Sequence, residues 1–166
     1  MSSFRLAFFA LAVAALAGCG FRPIHATYAD GAVSDQLARI YVAAISDRIG
    51  QRVRNELLDR LTPKGVPLNN AYRLEINLTA AQPPSALSSA DLATRRNFSL
   101  TANYSLIGAD GKKPLIKGRY RALASYDIVD SEYATLAAIE YAEGRAAIQV
   151  ADAIFTRLSL YFTSKR

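Results

Sequence analysis

Apolar and polar residues alternate over two long stretches in the middle of the chain. In residues 72–80 the apolar positions are Tyr72, Leu74, Ile76 and Leu78, and residues 97–106 repeat the pattern. A period of two places alternate side chains on opposite faces of a β-strand. Each stretch therefore predicts a strand with one buried face and one wet face, the wet face of the second being rich in Asn, Ser and Thr.

Two shorter patterns predict the remaining strands. Alternation at about 39–44 indicates a short first strand. A last strand is expected from Leu115 to about Tyr126, with Lys117, Arg119 and Arg121 on its polar face. The Asp-Gly pair at 110–111 is typical of a turn between antiparallel strands, so we expect the third and fourth strands to form a hairpin.

Helical spacing appears twice. Apolar residues recur from Ile49 to Leu61, and Ser46 or Asp47 is expected to cap this helix. A second helix is expected from about Glu132 to near the C-terminus, with Asp130 or Ser131 as its cap. Its predicted apolar stripe consists of Ile148, Ala151, Phe155, Leu158 and Phe162.

The predicted order of elements is β-α-β-β-β-α. Because each strand has one apolar face and each helix one apolar stripe, the expected fold is α+β, with two helices packed on one face of a four-stranded mixed sheet. The expected sheet contribution to the core is Leu74, Ile76, Leu78, Leu100, Tyr104, Ile116 and Tyr120. The helices are expected to meet it with Val53, Leu57, Phe155 and Leu158.

The N-terminus is typical of a lipoprotein signal. Arg5 precedes an apolar run, residues 6–17, that is shorter than the roughly 20 residues of a membrane-spanning helix. The run ends in Leu-Ala-Gly-Cys, which resembles a lipobox, and Cys19 is the only cysteine. We therefore predict a signal peptide over 1–18, cleavage before Cys19, and a multiply acylated N-terminus in which the Cys19 thiol carries the diacylglycerol, with palmitate as an expected acyl group.

These features set the expected domains and location. Residues 19–37 lack a period and contain Pro23 and Gly31, so they are predicted to form a lipidated tether, followed by a single α+β domain over 38–166. With one cysteine, no disulfide can form within the chain. Gly20 stands where an aspartate would commonly signal retention at the inner membrane of enteric bacteria. We therefore expect a protein anchored by its lipid to the periplasmic side of the outer membrane.

Charge adds a candidate contact surface. The chain has 20 Lys+Arg against 14 Asp+Glu, a net charge of +6, which suits an anionic partner. Export makes nucleic acid an improbable partner, whereas lipid head groups and lipopolysaccharide are accessible. The candidate contacts are the basic residues of the last two strands, although such charges also keep a sheet face soluble. They are Arg95, Arg96, Lys112, Lys113, Lys117, Arg119 and Arg121.

Catalytic and metal-binding patterns are missing from the sequence. The only histidine, His25, lies in the predicted tether, and no glycine-rich phosphate loop or G-x-S-x-G elbow occurs. The acidic pair Asp127 and Asp130 precedes a helix, where capping is the ordinary explanation. We therefore expect no enzyme activity and no cofactor apart from the covalent lipid on Cys19.

The start of the predicted mature chain, Cys-Gly-Phe-Arg-Pro-Ile at 19–24, resembles the lipopolysaccharide-assembly lipoprotein family LptE. The element order and the long C-terminal helix are similar to that family as well. The resemblance implies a plug and assembly partner inside the outer-membrane β-barrel translocon LptD, in contact with lipopolysaccharide. No short motif transfers individual contact residues.

Two other classes stay open at this point. An auxiliary lipoprotein of a phospholipid-transport ABC system also combines a lipobox with a small α/β domain, and the Gly-Phe-Arg-Pro start favours LptE over it. A lipid-anchored periplasmic hydrolase or peptidoglycan-binding module is disfavoured because paired catalytic residues are missing.

Overall fold

The computed structural model describes residues 31–63, 65, 69–82, 95–111 and 113–165. These residues form three helices and four strands in the order α-β-α-β-β-β-α, and Ala32–Arg166 forms one compact unit. The helices are α1 Gly31–Ala38, α2 Asp47–Leu61 and α3 Glu132–Ser164. The strands are β1 Ile40–Val42, β2 Tyr72–Ala81, β3 Arg95–Gly108 and β4 Pro114–Asp127.

The predicted α+β class and four-stranded mixed sheet are confirmed. The strands lie in the order β1-β2-β3-β4, with β1 parallel to β2 and the other neighbours antiparallel. The turn between β3 and β4 is the expected one, closed by the Gly111 amide donating to the Gly108 carbonyl at 3.0 Å. Gly111 has φ +65°, a conformation that glycine adopts without a steric penalty.

The expected order of elements was wrong at its N-terminal end. A helix at Gly31–Ala38 precedes the first strand, whereas regular structure was expected from about Arg39, so the described residues contain three helices instead of two. Helix α1 packs Val33 and Leu37 into the core, and Gln36 accepts a 2.9 Å hydrogen bond from the Tyr72 hydroxyl. This helix of 8 residues has only two large apolar side chains, one turn apart, which is too little for a periodic signal, so only its tertiary contacts reveal it.

One face of the sheet and the inner sides of α2 and α3 form the core. The predicted residues Leu74, Leu100, Val53, Leu57 and Leu158 are at most 1% exposed. The remaining buried positions in this layer are contributed mainly by small and medium-sized apolar residues of α3, β3 and β4. They include Ala102, Ala122, Ala124, Ala142, Ala146, Ala147, Val150 and Ile154.

Some predicted positions differ from the structure. Tyr120 is 36% exposed and Ile148 is 40% exposed, so neither belongs to the buried core. Tyr120 lies on the edge strand, beyond the width that α3 covers. At the level of Ile148 the buried positions are Ala146 and Ala147, whose small side chains allow α2 and α3 to approach closely. Ser46 occupies the N-cap of α2 but makes no side-chain cap hydrogen bond.

The cap of α3 agrees with expectation, since the Ser131 hydroxyl accepts a hydrogen bond from the Ala134 amide. Within the described ranges, no helix is long and apolar enough to cross a membrane.

Candidate functional site

Three basic side chains stand in a row on the sheet face that the helices leave open. Lys117, Arg119 and Arg121 occupy alternate positions of β4, and all three are exposed. Alternate residues of a strand point the same way and lie about 6.6–6.8 Å apart. The local cause is the strict period of two in β4, which sends the small residues of the same strand to the core. We name these three residues the basic row.

The neighbouring strands supply uncharged hydrogen-bonding groups beside the basic row. Across β3, Lys117 pairs with Ser105, Arg119 with Asn103, and Arg121 with Thr101. Across β2 the series continues to Glu75, Asn77 and Thr79. Guanidinium, ammonium, amide and hydroxyl groups on one surface can together donate to a phosphate or carboxylate that has several oxygens.

The electrostatic balance of this surface is positive. The carboxylate of Glu75 is engaged by Arg73, whose Nε lies 2.9 Å from Oε1. Among the described residues, Lys117, Arg119 and Arg121 have no ion-pair partner, and Arg121 Nη2 donates a 3.4 Å hydrogen bond to Ser99 Oγ. The basic row is therefore available to an anionic partner without breaking an internal ion pair.

The polar side chains at the centre of this face are more buried than the sequence pattern predicted. Ser99 is 2% exposed and Thr101 is 9% exposed, although both belong to the polar set of β3. Their side chains are short and β3 is a central strand, so longer neighbours such as Arg121 shield them. Among the described side chains, no buried polar atom lacks a hydrogen-bond partner.

The other candidate contacts do not join the basic row. Lys113 is exposed beside the turn that precedes β4, and Lys112 lies outside the described residues. Arg95 and Arg96 are opposite Asp127 and Tyr126, at the far end of the hairpin. Because the strands are antiparallel, Arg95 and Lys113 are separated by nearly the whole length of β4, about 45 Å. Adjacent positions also place Arg95 and Arg96 on opposite faces of the sheet.

The lipidation prediction concerns a part of the chain that the structure does not describe. Cys19, His25, the predicted signal peptide 1–18 and most of the predicted tether fall outside the described residues. Cleavage and lipidation therefore stay predictions. In the part of the chain that the structure describes, no group of three or more His, Cys, Asp or Glu side chains could hold a metal ion.

A groove beside the edge strand β4 was missed by sequence reasoning. It lies between α3 and the helix-facing side of β4 and has a volume of about 550 Å³. Tyr104 and Tyr120 line it from the sheet, with Ala153 and Leu160 from α3. Gly118 makes room for the Tyr104 ring, since a Cβ at this position would stand 2.3 Å from the Tyr104 hydroxyl. A glycine inside a strand is the one sequence signal for such a close approach.

Burial also changes the chemistry of this tyrosine. Desolvation raises the pKa of the Tyr104 hydroxyl, and the nearby positive charge of Arg157 partly opposes the rise. The groove therefore presents a neutral phenol at neutral pH, and its lining also contains the basic residues Arg119 and Arg157 and the acidic residue Asp152.

Solved structures share this fold. A lipoprotein from Caulobacter crescentus superposes with a TM-score of 0.66 at 24% identity, covering 80% of this chain and 97% of that chain. A minor lipoprotein from Acinetobacter baumannii gives a TM-score of 0.60 at 20% identity, covering 74% and 92%. The rare lipoprotein B from Shewanella oneidensis gives 0.53 at 14% identity, covering 72% and 92%. No curated protein sequence matches the chain.

Sequence comparison with protein families is more specific than these likenesses of fold. Residues 37–158 match the family model LptE, described as lipopolysaccharide-assembly. The match runs from the last turn of α1 into the C-terminal half of α3 and includes the whole sheet. This chain therefore belongs to the LptE lipopolysaccharide-assembly family.

Proposed function

We propose that this protein is an outer-membrane lipoprotein that acts as plug and assembly partner of the β-barrel lipopolysaccharide translocon LptD and contacts lipopolysaccharide during transport. The observation that carries the proposal is the open sheet face, where the basic row adjoins amide and hydroxyl side chains without internal ion pairing. Membership of the LptE family supports the assembly role. We propose no catalytic role.

The open face has the properties that both contacts require. The lumen of a membrane β-barrel is polar, so a plug needs a stable core beneath a polar exterior. Lipid A carries phosphorylated sugars, and Arg and Lys pair strongly with phosphate where water is partly excluded. A barrel wall with acidic groups would suit the same row, so binding measurements with purified components are needed to separate the two contacts.

The barrel contact is tested by affinity purification from detergent-solubilised membranes. A tag at the C-terminus of the full chain leaves the predicted lipid anchor intact. We expect one β-barrel protein to copurify in stoichiometric amount. Copurification of inner-membrane ABC transporter subunits without a barrel would contradict the plug role.

The lipid contact is tested by titration with purified lipopolysaccharide. Changing Lys117, Arg119 and Arg121 together to Ser should leave the melting temperature nearly unchanged, because all three side chains are exposed. Loss of charge-assisted contacts should weaken binding at low salt by about tenfold or more, and the difference should shrink at high salt.

A matched control removes the same charge elsewhere. Arg48 and Arg52 lie on α2 and Lys165 directly follows α3, and their joint change to Ser should leave lipopolysaccharide binding close to that of the parent. Equal weakening by both triple variants would show that only net charge matters. Unchanged binding by the basic-row variant at low salt would remove the lipid contact from the proposal, while the plug role would depend on the purification result.

A further inference from the structure

Among the strands that the structure describes, none pairs with the outer edge of β4. In the sheet order β1-β2-β3-β4, this strand of 14 residues has β3 as its one described neighbour. At its C-terminal end α3 lies against the strand, and Arg145 donates a 2.5 Å hydrogen bond to the Ser125 carbonyl. The stretch from Leu115 to Leu123 therefore retains a row of backbone N–H and C=O groups that can accept another strand.

The two sides of this edge differ in chemistry. On the helix-facing side lies the 550 Å³ groove, where Tyr120 and Leu160 are 36% and 51% exposed. The open-face side carries the basic row. A groove with exposed apolar side chains and polar residues at its margins thus lies on one side of this strand edge, and the basic row lies on the other.

A strand added to this edge would have to match both sides. Successive side chains of an extended peptide point alternately to the two faces of a sheet. Half of them would enter the groove, where apolar side chains would cover Tyr120 and Leu160. The other half would stand beside Lys117, Arg119 and Arg121, where acidic side chains would pair with them.

We propose that the free edge of β4 binds an extended polypeptide segment in which apolar and acidic residues alternate, with its apolar side chains in the groove beside Tyr120 and its acidic side chains on the basic row. Backbone hydrogen bonds to the edge would supply affinity, and the alternating side chains would supply specificity. This interaction is independent of the proposed function, because it needs neither lipopolysaccharide nor a barrel.

Charge makes a second copy of the chain a poor occupant. If β4 paired antiparallel with itself around Arg119, Arg119 would face Arg119 and Lys117 would face Arg121. Centring the pair on Tyr120 would place Arg119 opposite Arg121. Like charges directly opposite each other destabilise a strand pair. The occupant favoured by the edge is therefore a different, acidic segment.

The proposal is tested with two synthetic peptides and the full-length protein in detergent. The acidic peptide is acetyl-(Val-Glu)4-amide, and the matched control is acetyl-(Val-Lys)4-amide. We expect the acidic peptide to bind and to slow backbone amide hydrogen exchange within 115–123, with β2 amides unchanged. Equal binding of the two peptides, or binding without slower exchange in β4, would overturn the proposal.

Variants separate the groove from the charges. Ala153→Trp should fill the groove from α3 and weaken binding of the acidic peptide at least tenfold. The double variant Arg119→Glu/Arg121→Glu should reverse the preference in favour of the Val-Lys peptide. The control Arg52→Glu/Lys165→Glu makes the same charge change on α2 and directly after α3 and should keep the preference of the parent. Thermal unfolding checks that each variant is folded.

Two further outcomes would also decide against the proposal. Protection of β4 amides that rises with protein concentration without peptide would identify a second copy as the occupant. Unaltered peptide binding in Ala153→Trp would show that the groove takes no part. A negative result in these peptide experiments would not change the results of lipopolysaccharide titration or barrel copurification. Failure of this proposal is therefore distinguishable from failure of the proposed function.

Discussion

Single residues show how tightly the sheet and α3 fit together. Leu74 is fully buried in the central layer, whereas Leu123 is 52% exposed on the open face. Leu74→Ala should therefore cost about 2–5 kcal/mol of unfolding free energy, since it removes buried methyl groups and leaves a cavity. Leu123→Ala makes the same chemical change and should cost far less. Equal losses in denaturant unfolding would contradict the assignment of faces.

Gly118 gives a second test at this scale. Replacing a strand glycine by alanine is usually favourable because the unfolded chain loses conformational freedom. Here the new Cβ would collide with the Tyr104 ring, 2.4 Å from its Cζ atom, so Gly118→Ala should instead destabilise the protein by about 1–3 kcal/mol. In a Tyr104→Leu background, Gly118→Ala should lower the unfolding free energy only slightly. A double-mutant cycle with no coupling would rule out this contact.

The buried phenol predicts a pH dependence of stability. The folded pKa of Tyr104 is raised above the unfolded value of about 10. Below that pH the phenol is protonated in both the folded and the unfolded state, so its contribution to stability is fully present. As the pH rises from about 10 through the higher folded pKa, the unfolded chain releases its proton first, and stability falls.

Tyr104→Phe should therefore lose less stability than the parent between neutral pH and pH values above about 10. Unfolding free energies measured across this range check the expectation. Tyr133→Phe, at a position that is 84% exposed, controls for loss of a hydroxyl. If the unfolding free energy of Tyr104→Phe fell with alkaline pH as steeply as that of the parent, this expectation would be contradicted.

At the scale of elements, α2 and α3 are joined by apolar packing and by ion pairs. Arg48 contacts Glu140 at 2.7 Å and Glu143 at 2.6 Å, while Val53 and Leu57 lie fully buried beneath them. Exposed ion pairs contribute about 0–1 kcal/mol, because water and salt screen them. Burial of the apolar stripe therefore accounts for most of the stability of this helix pair.

This comparison predicts unequal effects of two substitutions in α2. Arg48→Ala should lower the unfolding free energy by less than about 1 kcal/mol, and less again at high salt. Leu57→Ala should lower it by about 2–5 kcal/mol at any salt concentration. A loss in Arg48→Ala that matched the loss in Leu57→Ala would show that the ion pairs dominate.

Some elements were predicted correctly from the sequence and one was not. The period of two in β2, β3 and β4 and the helical spacing in α2 predicted those elements within a few residues, since each spans several repeats. Helix α1 was missed because its two buried residues, Val33 and Leu37, make only one repeat. Its helical state depends on packing against the domain, which a local pattern does not contain.

At the scale of the whole molecule, the hairpin separates charges that the sequence had grouped. Lys113 lies near the turn, the basic row occupies the middle of β4, and Arg95 is opposite Asp127 at the far end. In the proposed lipid contact, one phosphorylated head group could therefore meet the basic row but could not also reach the arginines at the start of β3. Those arginines would have to serve a separate contact.

The predicted anchor is also a property of the whole molecule. If Cys19 carries the lipid, Cys19→Ser should move the protein from the membrane fraction to the soluble periplasmic fraction, because a multiply acylated N-terminus provides durable membrane binding. Mass spectrometry of the parent should show an acylated N-terminal cysteine at position 19. A mature N-terminus elsewhere, or an unmodified thiol, would contradict the lipoprotein prediction.

The sequence by itself determined the strands, the two long helices, the buried faces and the basic positions of β4, because periodicity and charge are local properties of the chain. Only the tertiary structure decided that β4 is an edge, that Tyr120 borders a groove and that Ser99 and Thr101 are shielded. These features depend on which strands become neighbours and how far α3 covers the sheet. Both follow from long-range packing, which no local repeat encodes.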